Sequence, residues 1–532
     1  MPFARQAEAR DIRRSVQRQR HAQRVLQPNV ITLPSPTGGL NGRDALDSMK
    51  PDDAVQLINF VPGFGKVEVR PGSALWATVG SAGFTPATGA VETLAELKMS
   101  TGLRLIAAAD GKIYDVATTG EKDTELGSGF AHDRWQYAVM NDQLGLVNGQ
   151  DAPQVYDGTT LAAMTISGTA LTVSTLIGIT VHKSRSWFIP VNSQDVWYSA
   201  VNALGGALTK FPLSDVGSSG GHLVAMIAWS RDGGAGMDDL AVFVMSSGEA
   251  IIYAGSDPGD ANDWSKIGIY DFGTPISRRG VIKLGGDALI LTSDGATLLS
   301  QVIPGARGAS GITVTDKLGK FLLDQIKSTG AEFGWQAIHY PRGRRLLINY
   351  PIGGAHQQFA ANLATGAWTQ FQSMNASCWS LFGDRLFFGG PGGLVVEADT
   401  GVSDQGADIV AKGQLAFSPL RGPVGNRHVQ MVRGLFEAAG TIDVDISLFA
   451  DYSPVPEATV QATFGTVGEA GGEWGVAEWG VDFWAGPSKV AQNWVGHAAR
   501  GYTISPAVSV AQNNNRVAWS GMMLSYVVEG LV

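Results

Sequence analysis

The chain has 532 residues, 44% of them hydrophobic and only 16% charged, with a net charge of -9. That length is enough for two or three domains, and the acidic balance makes the body a poor candidate for tight nucleic-acid binding, which draws its affinity from neutralising phosphates. A lone cysteine, Cys378, excludes an intramolecular disulfide and a cysteine-rich metal site, and suits assembly in a reducing cytoplasm.

The charge is unevenly placed. Residues 1–27 hold Arg5, Arg10, Arg13, Arg14, Arg18, Arg20 and Arg24 against Glu8 and Asp11, a basic arm on an acidic body. Arg10, Arg13, Arg14 and Arg18 would share one face of a helix. The arm has too few apolar residues to order itself, so it is expected to be held by a partner subunit or adaptor. The alternative is a disordered tail that binds DNA non-specifically. No apolar run follows its charges, so it does not have the form of a secretory signal. The longest apolar stretch, Thr169 to Val181, is too short and too polar to span a bilayer.

The next segment, Gly38 to Gly72, reads GGLNGRDALDSMKPDDAVQLINFVPGFGKVEVRPG. Pro51 suits the first turn of a helix, and Asp52 and Asp53 suit its positive end. Ala54, Val55, Leu57 and Ile58 then give helical spacing, stopped by Asn59 and Pro62-Gly63. Lys66, Glu68 and Arg70 alternate with Val67 and Val69 as in a half-buried strand.

Seven related units follow. Each is a strand, a turn and a second strand, with turns near Gly111, Gly149, Ser193, Gly248, Gly295, Gly354 and Gly393. A recurrence of roughly 40 to 50 residues is the spacing of propeller blades, and turns such as Asp-Gly suit two-residue hairpins. Between the fifth and sixth units, TDKLGKFLLDQIK places Leu318, Phe321, Leu322 and Ile326 on one helical face. The sequence thus predicts an all-β chain. It would comprise a basic arm (1–27), an N-terminal platform segment (28–90), an irregular β-propeller of about seven units (91–403) and a C-terminal β-sandwich segment (404–532). The two end segments are expected to pack as one platform. A β-sandwich or a pair of barrels is the competing architecture.

In the C-terminal segment GTIDVDISLFADY alternates as a half-exposed strand, and VAWSGMMLSYVVEGLV as a closing strand. Between them Trp474, Trp479 and Trp484 recur every five residues, which fits neither a strand nor a helix face. They are candidates for a loop covering a core or, equally, for a contact between subunits.

Catalytic signatures are missing. His21, His132, His182, His222, His339, His356, His428 and His497 include no pair at i, i+4 spacing. There is no phosphate loop and no hydrolase elbow. Ser293, Asp294, Gly295 and Thr297 touch the Asp-box of sialidase-like propellers, but the spacing is off and a hairpin turn explains them. Asp257 to Asp263 lack the order of a calcium loop. No enzyme activity, metal or cofactor is expected.

The Gly38 to Gly72 opening, the recurring hairpins and the C-terminal strand ending in Glu-Gly together resemble tail nozzle proteins of short-tailed phages. That family is also called tail tubular protein B or packaged-DNA stabilisation protein. The resemblance covers most of the chain after residue 28; the arginine-rich arm departs from it. It implies a structural virion protein, assembled in the host cytoplasm into a homo-oligomer, most simply a hexamer. Its partners would be the head-to-tail adaptor, other tail proteins and, weakly and without sequence preference, the double-stranded DNA in its channel. Arg10, Arg13, Arg14, Arg18, Arg20 and Arg24 would then dock on the adaptor or a neighbour. A propeller that binds or cleaves host glycan is the alternative.

Overall fold

The computed structural model describes residues 28–168, 170–232, 237–302, 313–421, 425–438, 440–464, 489–491 and 493–529. The chain is all-β. Consecutive antiparallel strands form small sheets, and these sheets are blades. Blade 1 runs Thr93–Met99, Gly102–Ala109, Lys112–Asp115 and Glu125–Ser128. Blade 2 runs Gln136–Met140, Gln143–Val147, Gln154–Tyr156 and Leu161–Ala163. Blade 3 runs Leu176–His182, Arg185–Pro190, Val196–Tyr198 and Thr209–Phe211. Blade 4 runs Leu223–Asp232, Met237–Met245, Glu249–Ala254 and Ser265–Asp271. Among the described residues blade 5 has three strands, Val281–Leu284, Asp287–Thr292 and Gly295–Leu298. Blade 6 runs Gln336–Tyr340, Arg345–Ile352, Ala355–Asn362 and Ala367–Phe371.

Blade 7 draws its parts from both ends of the ring. Cys378–Phe382, Arg385–Gly389 and Leu394–Ala398 come from the end, Gly120–Lys122 lies along the outer edge, and the strand between them, from the start, is Ser73–Ser81. The last pairs antiparallel with Leu394–Ala398, from Leu394↔Thr78 to Ala398↔Ser73. Innermost strands touch in order around the ring, and Cys378–Phe382 touches Thr93–Met99, so the circle closes. Each of the seven predicted hairpins is a middle hairpin of one blade. At the blade 1 turn Asp110 and Gly111 have φ of 52° and 67°, as a two-residue turn in that hairpin requires.

The platform is two facing sheets. One contains Phe60–Pro62, Val67–Val69, Val517–Glu529, Asn426–Ala438 and Lys489–Ala491, with Asn29–Pro34 and Val495–Gly501 at its sides. The other contains Asp53–Ile58, Ile409–Leu415, Ile504–Gln512, Ile442–Ala450 and Ala458–Phe464. Their inner faces alternate as expected: along Ile442–Ala450 every second residue is buried. Phe436 and Phe464 meet across the sheets with centroids 5.2 Å apart. The second sheet runs on into blade 6, because Asp53–Ile58 lies beside Ala367–Phe371 through Ile58↔Gln370. One apolar core therefore spans the platform, blade 6 and the helix Lys320–Thr329. Ser73–Ser81, within the 28–90 stretch read as platform, is a strand of the ring.

The helix expected after Pro51 is a strand, Asp53–Ile58. Its register against Ile409–Leu415 shifts between Ala54 and Gln56. A bulge inserts one residue, so Ala54 and Leu57, three apart, both point into the core and imitate helical spacing. The helix in the fifth-to-sixth insertion forms as predicted over Lys320–Thr329, burying Leu322 and Ile326. Phe321, expected on the buried face, is 40% exposed. Arg70, on the polar side of its alternation, is only 2% exposed. Among the described residues, no helix is long and apolar enough to cross a membrane.

Candidate functional site

The Gly38 to Gly72 segment joins platform to ring at two points. At the first, Asn41 makes a tight turn: its Oδ1 accepts the backbone N–H of Arg43 (3.1 Å) and Asp44 (3.0 Å). Its Nδ2 donates to the buried Asp53 carboxylate at 2.8 Å. Lys317, from the insertion between blades 5 and 6, donates to the same carboxylate at 2.5 Å and to the Gly38 carbonyl at 2.6 Å. Arg43 pairs with Asp44 (2.8 Å) and with Asp316 (2.6 Å). The Arg43 hydrogen bond holds the Asp44 carboxyl down at about 2. Gly42 allows this approach, since a Cβ there would lie 2.4 Å from the Leu318 carbonyl oxygen.

The second point is where the chain joins and leaves the ring. Backbone bonds tie Gly72 N–H to Gly401 O (3.3 Å), Ser73 N–H to Ser403 O (3.0 Å) and Thr400 N–H to Gly72 O (3.1 Å). A Cβ at Gly72 would sit 2.0 Å from the Ser403 oxygen, so only glycine fits. Arg70 reaches into this seam. Its Nε donates to Asn59 Oδ1 (2.9 Å), Nη1 to Pro71 O (3.0 Å) and Nη2 to Gln372 O (3.0 Å). The two remaining bonds form a fork on Asp404. All five donors of a buried guanidinium are thus matched, which burial demands.

Beside this seam a cleft of about 330 Å³ separates platform from ring. Its Lys66 ammonium is raised above its ordinary value by the hydrogen bond to Glu437 and then that to Glu68. Those three charges satisfy each other. Among the described residues no three His, Cys, Asp or Glu side chains gather in a way that could hold a metal ion. Asp263 caps its own loop, accepting Ser256 and Asp257 N–H at 2.6 Å each. Ser293 to Thr297 lie on and after the blade 5 hairpin turn.

A guanidinium reaches across the ring's axial bore. Arg279, just ahead of the first strand of blade 5, spans to the opposite side. It donates to the Glu92 carbonyl (2.7 Å), Thr93 Oγ1 (2.9 Å) and the Trp135 carbonyl (2.9 Å). These acceptors sit at the starts of blades 1 and 2. Burial pulls the Arg279 pKa below its ordinary value, and the three oxygens compensate the lost hydration.

Arg10, Arg13, Arg14, Arg18, Arg20 and Arg24, and Trp474, Trp479 and Trp484, lie outside the described residues. Lys317, Asp404 and Arg279 were not singled out by sequence reasoning. Lys317 lies in a stretch noted only for its apolar face, and nothing local marks Asp404 or Arg279.

No family model and no curated protein matches the chain. Solved structures similar to it include YCF48 from Cyanidioschyzon merolae, at 11% identity and a TM-score of 0.35, covering 61% of this chain and 98% of that one. Another is the BBS1N portion of a complex with ARL6DN, at 10% identity and a TM-score of 0.38, covering 61% and 97%. A third is PorZ of the type-IX secretion system of Porphyromonas gingivalis, at 12% identity and a TM-score of 0.37, covering 68% and 45%. The blade assignment above rests on this chain's own strand pairing.

Proposed function

We propose that the chain is a structural component of a short-tailed phage tail, a nozzle subunit that forms a ring below the head-to-tail adaptor. In this reading the ring retains packaged DNA and conducts it at ejection. The observation that carries the proposal is how the Gly38 to Gly72 segment is used. Its Arg43, Asp53 and Arg70 are committed to holding platform and ring together, Asp44 braces Arg43, and none is offered to a substrate.

A subunit welded in this way suits a wall that must bear load. The plugged bore supports the same view, because Arg279 leaves no passage for a duplex inside one propeller. Any DNA conduit must then lie between subunits. An acidic chain of net charge -9 suits a channel in which DNA slides. The arm, with its arginines, is assigned to docking on the adaptor or a neighbouring subunit, where guanidinium forks can pair with carboxylates.

Imaging and native mass measurement of the full-length protein, alone and in virions, test the reading. A ring of several copies with an axial hole, six in the simplest case, is expected. A stable monomer absent from virions overturns it. Turnover of host capsule or lipopolysaccharide, lost on changing one carboxylate, would replace it with the glycan-acting alternative.

A further inference from the structure

Above the Arg279 plug lies a recess of about 300 Å³ at the mouth of the bore. Its walls come from residues at or before the innermost strands of several blades. His132 and Arg134 precede blade 2, Arg278 and Arg279 precede blade 5, and Glu332 and Phe333 precede blade 6. Three guanidinium groups thus meet in one small space on an acidic protein.

Two of the three are already engaged. Arg134 places Nε and Nη2 on the Glu92 carboxylate at 3.0 and 3.1 Å, leaving Nη1 without a partner among the described residues. Arg279 is held by the oxygens of blades 1 and 2. Both also lie against the Phe333 ring, with Cζ at 4.2 Å for Arg134 and 5.2 Å for Arg279 from its centroid. Arg278 differs. Its Nε is buried without a hydrogen-bond partner, and no carboxylate pairs with it among the described residues. Glu92 is spent on Arg134, and Glu332 is the one acidic residue among the described residues of the lining. A buried donor left unmatched costs free energy that a ligand acceptor would restore.

We propose that this mouth binds a small molecule carrying an oxyanion, a phosphate or a carboxylate, with Arg278 as its principal partner and Arg134 Nη1 as the second. A guanidinium offers two parallel donors to either group. The recess lies at the small end of ligand pockets, so the ligand is a compact one. Phe333 and the neighbouring Ile177 and Ile276 supply an apolar wall for whatever carries the charge. This inference is independent of the nozzle reading, since it concerns the bore of a single propeller.

The test uses the full chain at constant ionic strength. Inorganic phosphate and citrate are titrated separately, with chloride as reference, by calorimetry and by the shift in melting temperature. At least one of the two is expected to bind and to raise the melting temperature beyond chloride, and the stronger identifies the oxyanion source. Arg278→Met is expected to weaken binding about tenfold or more, the scale of a charge-assisted pair. Arg278→Lys should retain part of it, which separates charge from fork geometry and guards against a misfolded Met variant. Lys327→Met, an exposed lysine on the insertion helix, should change nothing. If neither anion exceeds chloride, or if the Arg278 variants bind as the parent does, the proposal is wrong.

Discussion

Arg70 and Asp404 lie 334 residues apart in the chain and meet in a two-pronged ion pair, Nη1 to Oδ1 at 2.9 Å and Nη2 to Oδ2 at 2.5 Å. The pair sits where the backbone joins the ring and where it leaves, beside the strand that closes blade 7. The side chains are 1% and 9% exposed, so neither charge can fall back on water if the other is removed.

Arg70→Met or Asp404→Leu should therefore destabilise the fold by about 3 to 5 kcal/mol, the cost of stranding a buried charge. Arg70→Lys should rescue little, because an ammonium cannot reproduce the fork. The double variant should lose less than the two single losses added together. Urea denaturation of the parent and the four variants measures this; strictly additive losses would show that the pair is not coupled.

Acid should weaken blade 3. His182 packs edge-on against Trp264, with centroids 6.0 Å apart, and burial pushes its pKa down from 6.5 to about 4. A depressed folded value means that the stability is fully present above 6.5 and is lost as pH falls toward 4, by roughly 3 kcal/mol. Asp133 works in the other sense: burial pushes it up to about 6, and its contribution is lost as pH rises through that value. The comparison is therefore made between His182→Leu and its parent. The parent should lose more stability than the variant between pH 7 and pH 4.5, read from urea midpoints.

Cys378 reports on the closing seam of the ring. Its thiol is buried on the first strand of blade 7 and donates to the Val91 carbonyl at 3.2 Å, on the segment leading into blade 1. Burial pushes its pKa up to about 12, and a thiol without thiolate is a poor nucleophile. Iodoacetamide should label the native protein far more slowly than the urea-unfolded chain. Native labelling at the unfolded rate would mean that blades 7 and 1 separate readily.

Removal of residues 1–27 should leave the melting temperature of the remaining chain unchanged while weakening its incorporation into virions. Charge reversal at Arg13, Arg14 and Arg18 should act in the same direction. Normal incorporation of the truncated protein, together with steeply salt-dependent DNA binding by the intact arm, would assign the arm to DNA instead.

What could be read from the sequence was whatever is carried by neighbours along the chain. The seven hairpins were legible because each needs only alternating strands and a turn such as Asp110-Gly111. The insertion helix was legible because Leu322 and Ile326 repeat at its own period, with Leu318 in the turn just ahead of it. The Asp53–Ile58 strand was not, since a bulge shifted its phase and copied the spacing of a helix. Long-range pairing lay further out of reach. That Ser73–Ser81 completes blade 7, that Arg70 finds Asp404 and that Arg279 spans from blade 5 to Glu92 depend on contacts between residues far apart in the chain, 334 positions for Arg70 and Asp404 and 187 for Arg279 and Glu92. Closing the ring creates those contacts. The sequence names the donors and acceptors, but only the closed circle brings them within hydrogen-bonding distance.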